Sequence, residues 1–208
     1  MHGIFMVFIK CFIVILIAYL LGSIPTGYLI VKKLKGIDIR TVGSGSTGAT
    51  NVKRVLGTKW FFTVMLLDAL KGALAVIIAV SYFNFFNEYL TGLTPVLAAI
   101  FAILGHSKSV FLKFTGGKSV ATGVGTILAL CFPVGIIIAG IWGLITYLSK
   151  YVSLGSIIAI AMAPVLMVLF DQNIYYIWFA ALGAIYVIVM HKENIKRLLA
   201  GTENKVRK

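Results

Sequence analysis

The chain has 208 residues, of which 60% are hydrophobic and only 12% are charged, and its mean hydropathy is +1.02. Soluble domains carry roughly 25% charged residues, so these values exclude a soluble domain and predict one all-α polytopic membrane domain over residues 1–208. The formal net charge of +13 comes from 19 Lys and Arg against 6 Asp and Glu, and cations scattered over short loops exclude a groove-sized nucleic-acid face.

Seven predominantly apolar stretches follow one another along the chain. They cover residues 4–31, 60–80, 93–105, 119–132, 134–149, 154–170 and 175–190. The first has one cation near its start, Lys10, and three directly after its end, which reverses the charge order of a signal peptide. We therefore expect a retained span whose N-terminus lies outside.

The region 119–149 is either one long span or two short spans hinged at Phe132 and Pro133. Two spans place 17 of the 19 Lys and Arg on one side of the membrane. Those cations lie in segments 32–59, 106–118, 149–153 and 191–208. A single span would move the C-terminal tail to the opposite side and divide the positive charge. Because cations concentrate in cytoplasmic loops, we predict seven transmembrane helices with the C-terminus in the cytoplasm.

Some of these stretches are short for a membrane span. As a helix, residues 119–132 extend only about 21 Å, which is less than the roughly 30 Å apolar core of a bilayer. Such helices are tolerated where their ends are buried in protein or border a polar cavity. We therefore expect short helices around a cytoplasm-facing site.

The polar segment GSGSTGATNVKR occupies residues 43–54. It matches G-x-G-x-x-G, but a transmembrane helix rather than a strand precedes it, so we reject a dinucleotide site. Glycines let backbone N–H groups approach an anion, hydroxyls add donors, and Lys53 and Arg54 add charge. We expect Ala49–Leu56 to form a short helix whose N-terminus faces the anion. The alternative is a flexible Gly/Ser loop with interfacial cations.

A second glycine turn lies in GHSKSVFLKFTGGKSVATGVG, residues 105–125. Leu112 stands where a P-loop would have its first glycine, so a nucleoside-triphosphate site of that type is excluded. The turn still delivers Lys118 to the start of a helix, where the helix dipole and the ammonium group both favour an anion. The alternative is an ordinary turn with interfacial lysines.

The tail HKENIKRLLAGTEN, residues 191–204, follows the last apolar stretch directly. His191 and Asn194 are three residues apart and share a helical face, with the cation of Arg197 nearby. Beside phosphate, His191 is a candidate hydrogen-bond donor or proton acceptor. The alternative is an amphipathic interfacial segment. Glu203 is placed to orient cations.

One charged pair lies inside an apolar stretch. Asp68 and Lys71 are three residues apart and should pair on one helical face, because isolated charges in a membrane are costly. A structural ion pair is the favoured interpretation, and a proton or substrate relay is the alternative.

Several chemistries lack their residues. The 6 scattered acids do not provide the clustered carboxylates of a metal site, so no metal and no cofactor is predicted. No G-x-S-x-G elbow occurs, no H-x-x-x-x-D follows any histidine, and Cys11 and Cys131 have no metal-ligand spacing. What remains is a cation-rich site with many backbone donors and no obvious nucleophile. A site of this kind suits a substrate that is already activated and needs positioning and charge stabilisation.

Six ordered blocks make the chain resemble the bacterial membrane acyl-phosphate:glycerol-3-phosphate acyltransferase family (PlsY type). The blocks are GSIPTGYL (22–29), GSGSTGATNVKR (43–54), LLDALKG (66–72), GHSKSVFLKFTGGKSVATGVG (105–125), SLGSI (153–157) and HKENIKRLLAGTE (191–203). The chain departs from the family where Ser46 and Thr47 replace a frequent Asn-Pro and where Ser119 replaces Gly.

The resemblance implies a seven-helix fold and a reaction. Long-chain acyl phosphate gives its acyl group to the sn-1 hydroxyl of glycerol 3-phosphate, which yields 1-acylglycerol 3-phosphate (lysophosphatidic acid) and phosphate. This step belongs to phospholipid biosynthesis at the bacterial inner membrane, with the active site facing the cytoplasm. The implied partners are both substrates, membrane lipid and, as a further candidate, the enzyme that makes acyl phosphate.

Together, the polar segments and the resemblance assign site residues. Catalytic roles go to Lys118, Arg54, His191, Asn194 and Ser156. Substrate binding goes to Ser44, Gly45, Ser46, Gly48, Asn51, Lys53, Gly116, Gly117, Ser119, Ser153 and Arg197. Structural roles go to Glu203, Asp68 and Lys71. The leaving phosphate can itself take the hydroxyl proton, with His191 as the alternative base.

A membrane transporter or channel for phosphate esters is the rival function, with the glycine loops as an anion filter. Transporters often contain paired repeats, and no internal repeat is evident here. The predicted external loops 81–92 and 171–174 also contain no cation that would receive an anion. This asymmetry favours an enzyme that works from one side.

Overall fold

The computed structural model describes residues 2–85 and 92–206. Within those ranges the chain forms ten α-helices, two single-turn 3₁₀ helices (Ile39–Thr41 and Val110–Leu112) and no β-strand. The α-helices are α1 (His2–Ser23), α2 (Thr26–Lys35), α3 (Ala49–Leu56), α4 (Thr58–Phe85), α5 (Leu93–Ser107), α6 (Val120–Leu130), α7 (Phe132–Ser149), α8 (Val152–Leu169), α9 (Ile174–Met190) and α10 (Lys192–Leu199). The predicted all-α class is confirmed.

Four helical segments of the described chain are long and apolar enough to cross a membrane. They are Val7–Lys35, Thr58–Tyr82, Phe132–Ser149 and Val152–Leu169. The bent pair α9 and α10, with 61° between them, makes a fifth if it counts as one span, while α5 and α6 are apolar but shorter. Each predicted apolar stretch is thus helical, whereas seven crossings and their orientation stay predictions. Residues 86–91 of the predicted external loop lie outside the described residues.

Two helix breaks occur at prolines. The expected hinge is confirmed, because α6 ends at Leu130 and α7 begins at Phe132 with Pro133 in its first turn, where a missing N–H costs nothing. The predicted stretch 4–31 is also interrupted, between α1 and α2. Ile24 precedes Pro25, and a residue before proline is disfavoured in the helical conformation.

The chain divides into two compact units, Met1–Ala129 and Leu130–Lys208, called the N-terminal and C-terminal units below. In the N-terminal unit, small side chains let α1, α4 and α5 approach closely. The buried cluster between them consists of Val14, Ala18, Ala75, Ala79, Ala98 and Ala102.

A second cluster in the N-terminal unit holds the first polar segment against α4. Val31 of α2, Ile39 of the 3₁₀ turn, Val52 of α3 and Val64 of α4 are all fully buried together. Burial of an aliphatic side chain contributes about 1.5–3 kcal/mol, so this cluster anchors both ends of residues 43–48.

In the C-terminal unit, α8 packs against α7 and α9. Lys150 adopts a left-handed conformation (φ 67°) that ends α7 and allows α8 to begin two residues later. Gly155 of α8 lies so close to α7 that a Cβ there would overlap Thr146 Oγ1.

Close packing of α6 on α4 generates a stability prediction. A Cβ at Gly125 would overlap the backbone carbonyl of Ala69, whereas a Cβ at Gly123 would meet only Ile103 Cδ1 at 3.8 Å. Both substitutions to Ala gain similar helix propensity, so their difference isolates the clash. We expect Gly125→Ala to cost about 1–3 kcal/mol and to lower the thermal unfolding midpoint in detergent, and Gly123→Ala to leave it unchanged or raised. Equal midpoints would contradict this packing.

Candidate active site

The first polar segment forms a tight loop between the 3₁₀ turn and α3. Gly43 (φ 60°) and Gly45 (φ 69°) both occupy the left-handed region, which favours glycine. Gly48 then precedes α3, which spans Ala49–Leu56 as predicted. Residues 43–48, called the glycine loop below, therefore owe their path to backbone conformations that most side chains disfavour.

Asn51, in the first turn of α3, holds the glycine loop through side-chain hydrogen bonds. Its Nδ2 group donates to the carbonyl oxygens of Ile39 (3.2 Å), Val42 (3.0 Å) and Ser46 (3.0 Å). Its Oδ1 accepts from the Ser44 N–H at 3.0 Å, and the residue is only 1% exposed. Because these bonds involve both the nitrogen and the oxygen of the amide, Asn51 holds the loop in place, and its predicted substrate contact stays a prediction.

Three backbone N–H groups of the glycine loop are already used by nearby acceptors. The N–H groups of Ser44, Gly45 and Gly48 donate within the segment, to Asn51, Val42 and Ser46, so they differ from the expected anion-facing amides. Ser44 and Gly45 are nevertheless exposed, and so is Arg54, while Lys53 is half-buried with its Nζ 5.8 Å from the Phe61 ring centre.

The second glycine turn closes a compact loop between α5 and α6. Ser109 and Thr115 form an isolated antiparallel bridge, and the Phe114 N–H donates to the Ser109 carbonyl at 2.8 Å. The chain then reaches Lys118, which is half-buried, two residues before α6 begins. Residues 116–119 are called the GGKS turn below.

The GGKS turn is shaped by packing. The Gly117 N–H donates to the His106 carbonyl at 3.1 Å, and a Cβ at Gly116 would overlap that same carbonyl oxygen. Ser119 is 1% exposed, and its hydroxyl donates to the Ile103 carbonyl of α5 at 2.9 Å, while its predicted substrate contact stays a prediction. Its φ of 60° explains why glycine suits this position.

Arg40, which the sequence does not single out, joins the two loops. Its guanidinium donates to the Leu112 carbonyl (3.3 Å) and to Thr115 Oγ1 (3.4 Å), and it grips both oxygens of Asp38, at 3.0 Å and 2.6 Å. This bidentate bond holds the pKa of Asp38 below its ordinary value. Within the N-terminal unit, the 3₁₀ turn just before the glycine loop is thus bonded to the loop just before the GGKS turn.

The buried pair in α4 is confirmed and is part of a larger cluster. Lys71 Nζ lies 2.8 Å from Asp68 Oδ1 and donates to the Ile24 carbonyl at 2.8 Å. Thr26 Oγ1 also donates to Asp68 Oδ1, at 2.5 Å, and His106 Nδ1 lies 3.6 Å from it. His106 has a single mark in the sequence, its position directly before the polar segment SKS.

Glu203 organises the polar end of the C-terminal unit. One carboxylate oxygen accepts from Ser153 Oγ (2.8 Å) and Asn194 Nδ2 (2.6 Å), and the other accepts from Arg197 Nε (2.6 Å). Burial by itself raises the pKa of Glu203, but these three donors outweigh it and hold the pKa below 4.5. The start of α8, α10 and the tail therefore share one buried carboxylate.

The remaining predicted residues of this unit are also buried. His191 lies at the bend between α9 and α10, is 4% exposed, and donates from Nδ1 to the Val187 carbonyl at 2.8 Å, because a carbonyl can only accept. The Ser156 hydroxyl donates to the Val152 carbonyl one turn earlier at 2.8 Å.

Comparison with known proteins decides the family. The sequence profile of the glycerol-3-phosphate acyltransferases matches residues 12–201. The chain is 50% identical to glycerol-3-phosphate acyltransferases of Trichormus variabilis and of a Nostoc species, over 94% of this chain and 92% of theirs. It belongs to the glycerol-3-phosphate acyltransferase family. Its function is acyl transfer to glycerol 3-phosphate in phospholipid biosynthesis, and the transporter interpretation is set aside.

Solved structures agree with this family. The crystal structure of PlsY (YgiH), an integral membrane glycerol 3-phosphate acyltransferase, in its glycerol 3-phosphate form aligns with a TM-score of 0.87 and 38% identity. The lysophosphatidic acid form aligns with a TM-score of 0.85 and 37% identity, and each comparison covers 94% of both chains. The fold of this acyltransferase is therefore that of a multi-pass membrane enzyme.

Glu203 generates a stability prediction for this acyltransferase. Glu203→Gln removes the charge and one acceptor, so we expect the unfolding midpoint in detergent to fall by roughly 5 °C, since bonds to charged groups are worth about 1.5–3 kcal/mol. Glu193→Gln is the matched control, because Glu193 pairs with Lys196 at an exposed position and should change little. Equal midpoints for the two variants would contradict the role given to Glu203.

The stabilisation that Glu203 provides should depend on pH in a defined direction. Because the folded pKa of Glu203 is depressed, its stabilising contribution is present above the ordinary value of 4.5 and is lost as the pH falls through the lower folded pKa. We expect the midpoint difference between wild type and Glu203→Gln to be constant above pH 4.5 and to shrink below it. A difference that widens in acid would show that the sign is wrong.

Proposed function

We propose that the acyl donor is a long-chain acyl phosphate and that the acceptor is the sn-1 hydroxyl of glycerol 3-phosphate. The enzyme then acts at the cytoplasmic face of a bacterial inner membrane, where its cationic loops lie. The products are 1-acylglycerol 3-phosphate and inorganic phosphate.

The observation that carries this proposal is the tether through Arg40 between two cation-bearing glycine segments. Arg54 follows the glycine loop and Lys118 lies in the GGKS turn, and both segments are joined in one unit by bonds from Arg40 to Leu112 and Thr115. A reaction between two phosphate-bearing substrates needs more than one anion-binding element, and tethered cations supply it without metal-ligating carboxylates.

The donor explains why no protein nucleophile is needed. An acyl phosphate is a mixed anhydride, so the glycerol 3-phosphate hydroxyl oxygen can attack the acyl carbon directly. A new C–O ester bond forms, the bond between the acyl carbon and the phosphate oxygen breaks, and the leaving phosphate takes the hydroxyl proton. Arg54 and Lys118 offset the charge on the phosphates and on the developing oxyanion.

The binding groups of the N-terminal unit are assigned by their exposure. Ser44 and Arg54 are exposed and take phosphate oxygens, whereas Asn51 and Ser119 are buried and hold the loops that carry the binding groups. Lys53 and Ser46 complete the proposed phosphate contacts, whereas the Gly45 N–H is already bonded to the Val42 carbonyl.

In the C-terminal unit, His191, Asn194, Ser153, Ser156 and Arg197 are the proposed contributors. Three of them, Ser153, Asn194 and Arg197, are fixed by Glu203. Asn194 and Arg197 have further N–H groups and can act as preorganised donors, whereas Ser153 gives its one hydroxyl hydrogen to Glu203. Because His191 donates from Nδ1 to Val187, its neutral ring presents Nε2 as an acceptor. We assign His191 as the base only if its removal abolishes the chemical step while both substrates still bind.

The donor assignment is tested with purified enzyme in detergent or a lipid mesophase. We expect phosphate release from palmitoyl phosphate to require glycerol 3-phosphate and to be matched by formation of lysophosphatidic acid. Palmitoyl-coenzyme A should give no product. Product from palmitoyl-coenzyme A with none from palmitoyl phosphate would overturn the donor assignment while leaving the family activity intact.

Lys118 provides a residue-level prediction. Lys118→Ala should lower kcat/KM about hundredfold, as expected for loss of a charge that stabilises the transition state. Lys113→Ala is the matched control in the same loop, since Lys113 is exposed, and it should stay within about threefold of wild type. Equal and mild effects would mean that the GGKS turn is an ordinary turn.

A further inference from the structure

The His106 ring lies between the buried charges of α4 and the GGKS turn. On one side its Nδ1 lies 3.6 Å from Asp68 Oδ1. On the other side its Nε2 occupies the space that a Cβ at Gly117 would need, and the three atoms nearest to that Cβ position all belong to the His106 ring. The ring is thus the direct physical link between α4 and the turn that carries Lys118.

The position of this ring is determined by buried partners. His106 is 8% exposed, Asp68 is 2% exposed and Lys71 is 6% exposed. Asp68 is itself held by Thr26 Oγ1 and Lys71 Nζ, which come from the start of α2 and from α4. An uncompensated carboxylate at this depth is costly, so the cluster keeps one arrangement and the ring keeps one orientation.

The turn in contact with the ring has little freedom to move toward it. The backbone of residue 106 accepts the Gly117 N–H, and its carbonyl excludes a side chain at Gly116. Backbone and ring of one histidine therefore define both glycine positions that precede Lys118.

We propose that His106 is a positioning residue for acyl transfer. Packed between Asp68 and the turn, its ring sets the conformation of the Gly116–Gly117 backbone and so the placement of Lys118 against substrate phosphate. This inference rests on the proposed role of the GGKS turn in phosphate binding. A displacement of about 1 Å at a positioned cation is enough to lower turnover strongly.

The two sides of the ring can be separated by substitution. His106→Asn keeps a donor near the Nδ1 position facing Asp68 but leaves the Gly117 side open, whereas His106→Gln extends toward the Nε2 position. Gly117→Ala introduces the Cβ that overlaps the ring. Gly116→Ala is the matched control, because its Cβ overlaps the His106 carbonyl oxygen, which no side-chain change at residue 106 removes.

We expect Gly117→Ala and His106→Asn each to lower kcat/KM for glycerol 3-phosphate about tenfold or more, mainly through KM. The double variant His106→Asn/Gly117→Ala should be no worse than His106→Asn alone, which is a coupling well beyond additivity. In two control double variants the glycine substitution should keep its full cost in kcat/KM. These are His106→Gln/Gly117→Ala and His106→Asn/Gly116→Ala. Kinetics use the acyl donor that wild type accepts, and the unfolding midpoint of each variant is measured in parallel.

Specific outcomes overturn the proposal. If the Gly117→Ala penalty is the same with His or Asn at residue 106, or if His106→Asn matches wild type, the ring does not position the turn. If the activity losses simply follow the unfolding midpoints, with kcat and both KM values falling together, His106 is only a stability residue. If Lys118→Ala is harmless while the coupling persists, the phosphate role of the turn fails and the packing link stands.

Discussion

The rest of this structure depends on one constraint: where a helix breaks, the backbone carbonyls that lose their helical hydrogen bonds need other donors. In an apolar surrounding each of them needs a donor, and here side chains provide it. Because Pro25 interrupts the helix, the carbonyls of Ser23 and Ile24 accept from Ser109 Oγ at 2.6 Å and Lys71 Nζ at 2.8 Å. The break in the first span is thereby tied to α4 and to the loop that leads into the GGKS turn.

The polar loops follow the same rule, with one multivalent side chain at the centre of each. Asn51 satisfies one carbonyl and one N–H of the glycine loop and two carbonyls just before it, and Glu203 gathers three donors from α8 and α10. Arg40 spans from Asp38 to the loop before the GGKS turn. The proposed binding groups are thus held in place by neighbouring polar side chains, and such preorganisation lowers the reorganisation that a reaction needs.

Much of the fold is predictable from the sequence because membrane helices are marked by long apolar runs. The hinge at Pro133 was located correctly, since charge asymmetry and a proline both pointed to it. The break at Pro25 is not predicted, because residues 4–31 are apolar almost throughout and suggest one continuous helix. Composition does not decide how many helices cross the membrane. A helix such as α6 is apolar, yet it is shorter than a full membrane span.

The candidate site was only partly predictable. Its polar segments stand out by composition against an apolar chain, and the α3 helix and the Asp68–Lys71 pair follow from local spacing. The roles of Asn51 and His106 could not be obtained that way, because their partners are 5 to 12 and 38 residues away along the chain, respectively. Contacts of that kind depend on tertiary packing rather than on local pattern.

Exposure sorts the polar residues better than residue type does. Ser44 and Ser119 are both serines beside glycines, yet one is exposed and the other is 1% exposed and bonded to α5. Likewise, Gly45 supplies a left-handed turn, whereas Gly117 supplies room for a ring. In these two segments most of the glycine-rich motif serves to hold the backbone in place, so the proposed anion binding falls to a few exposed groups.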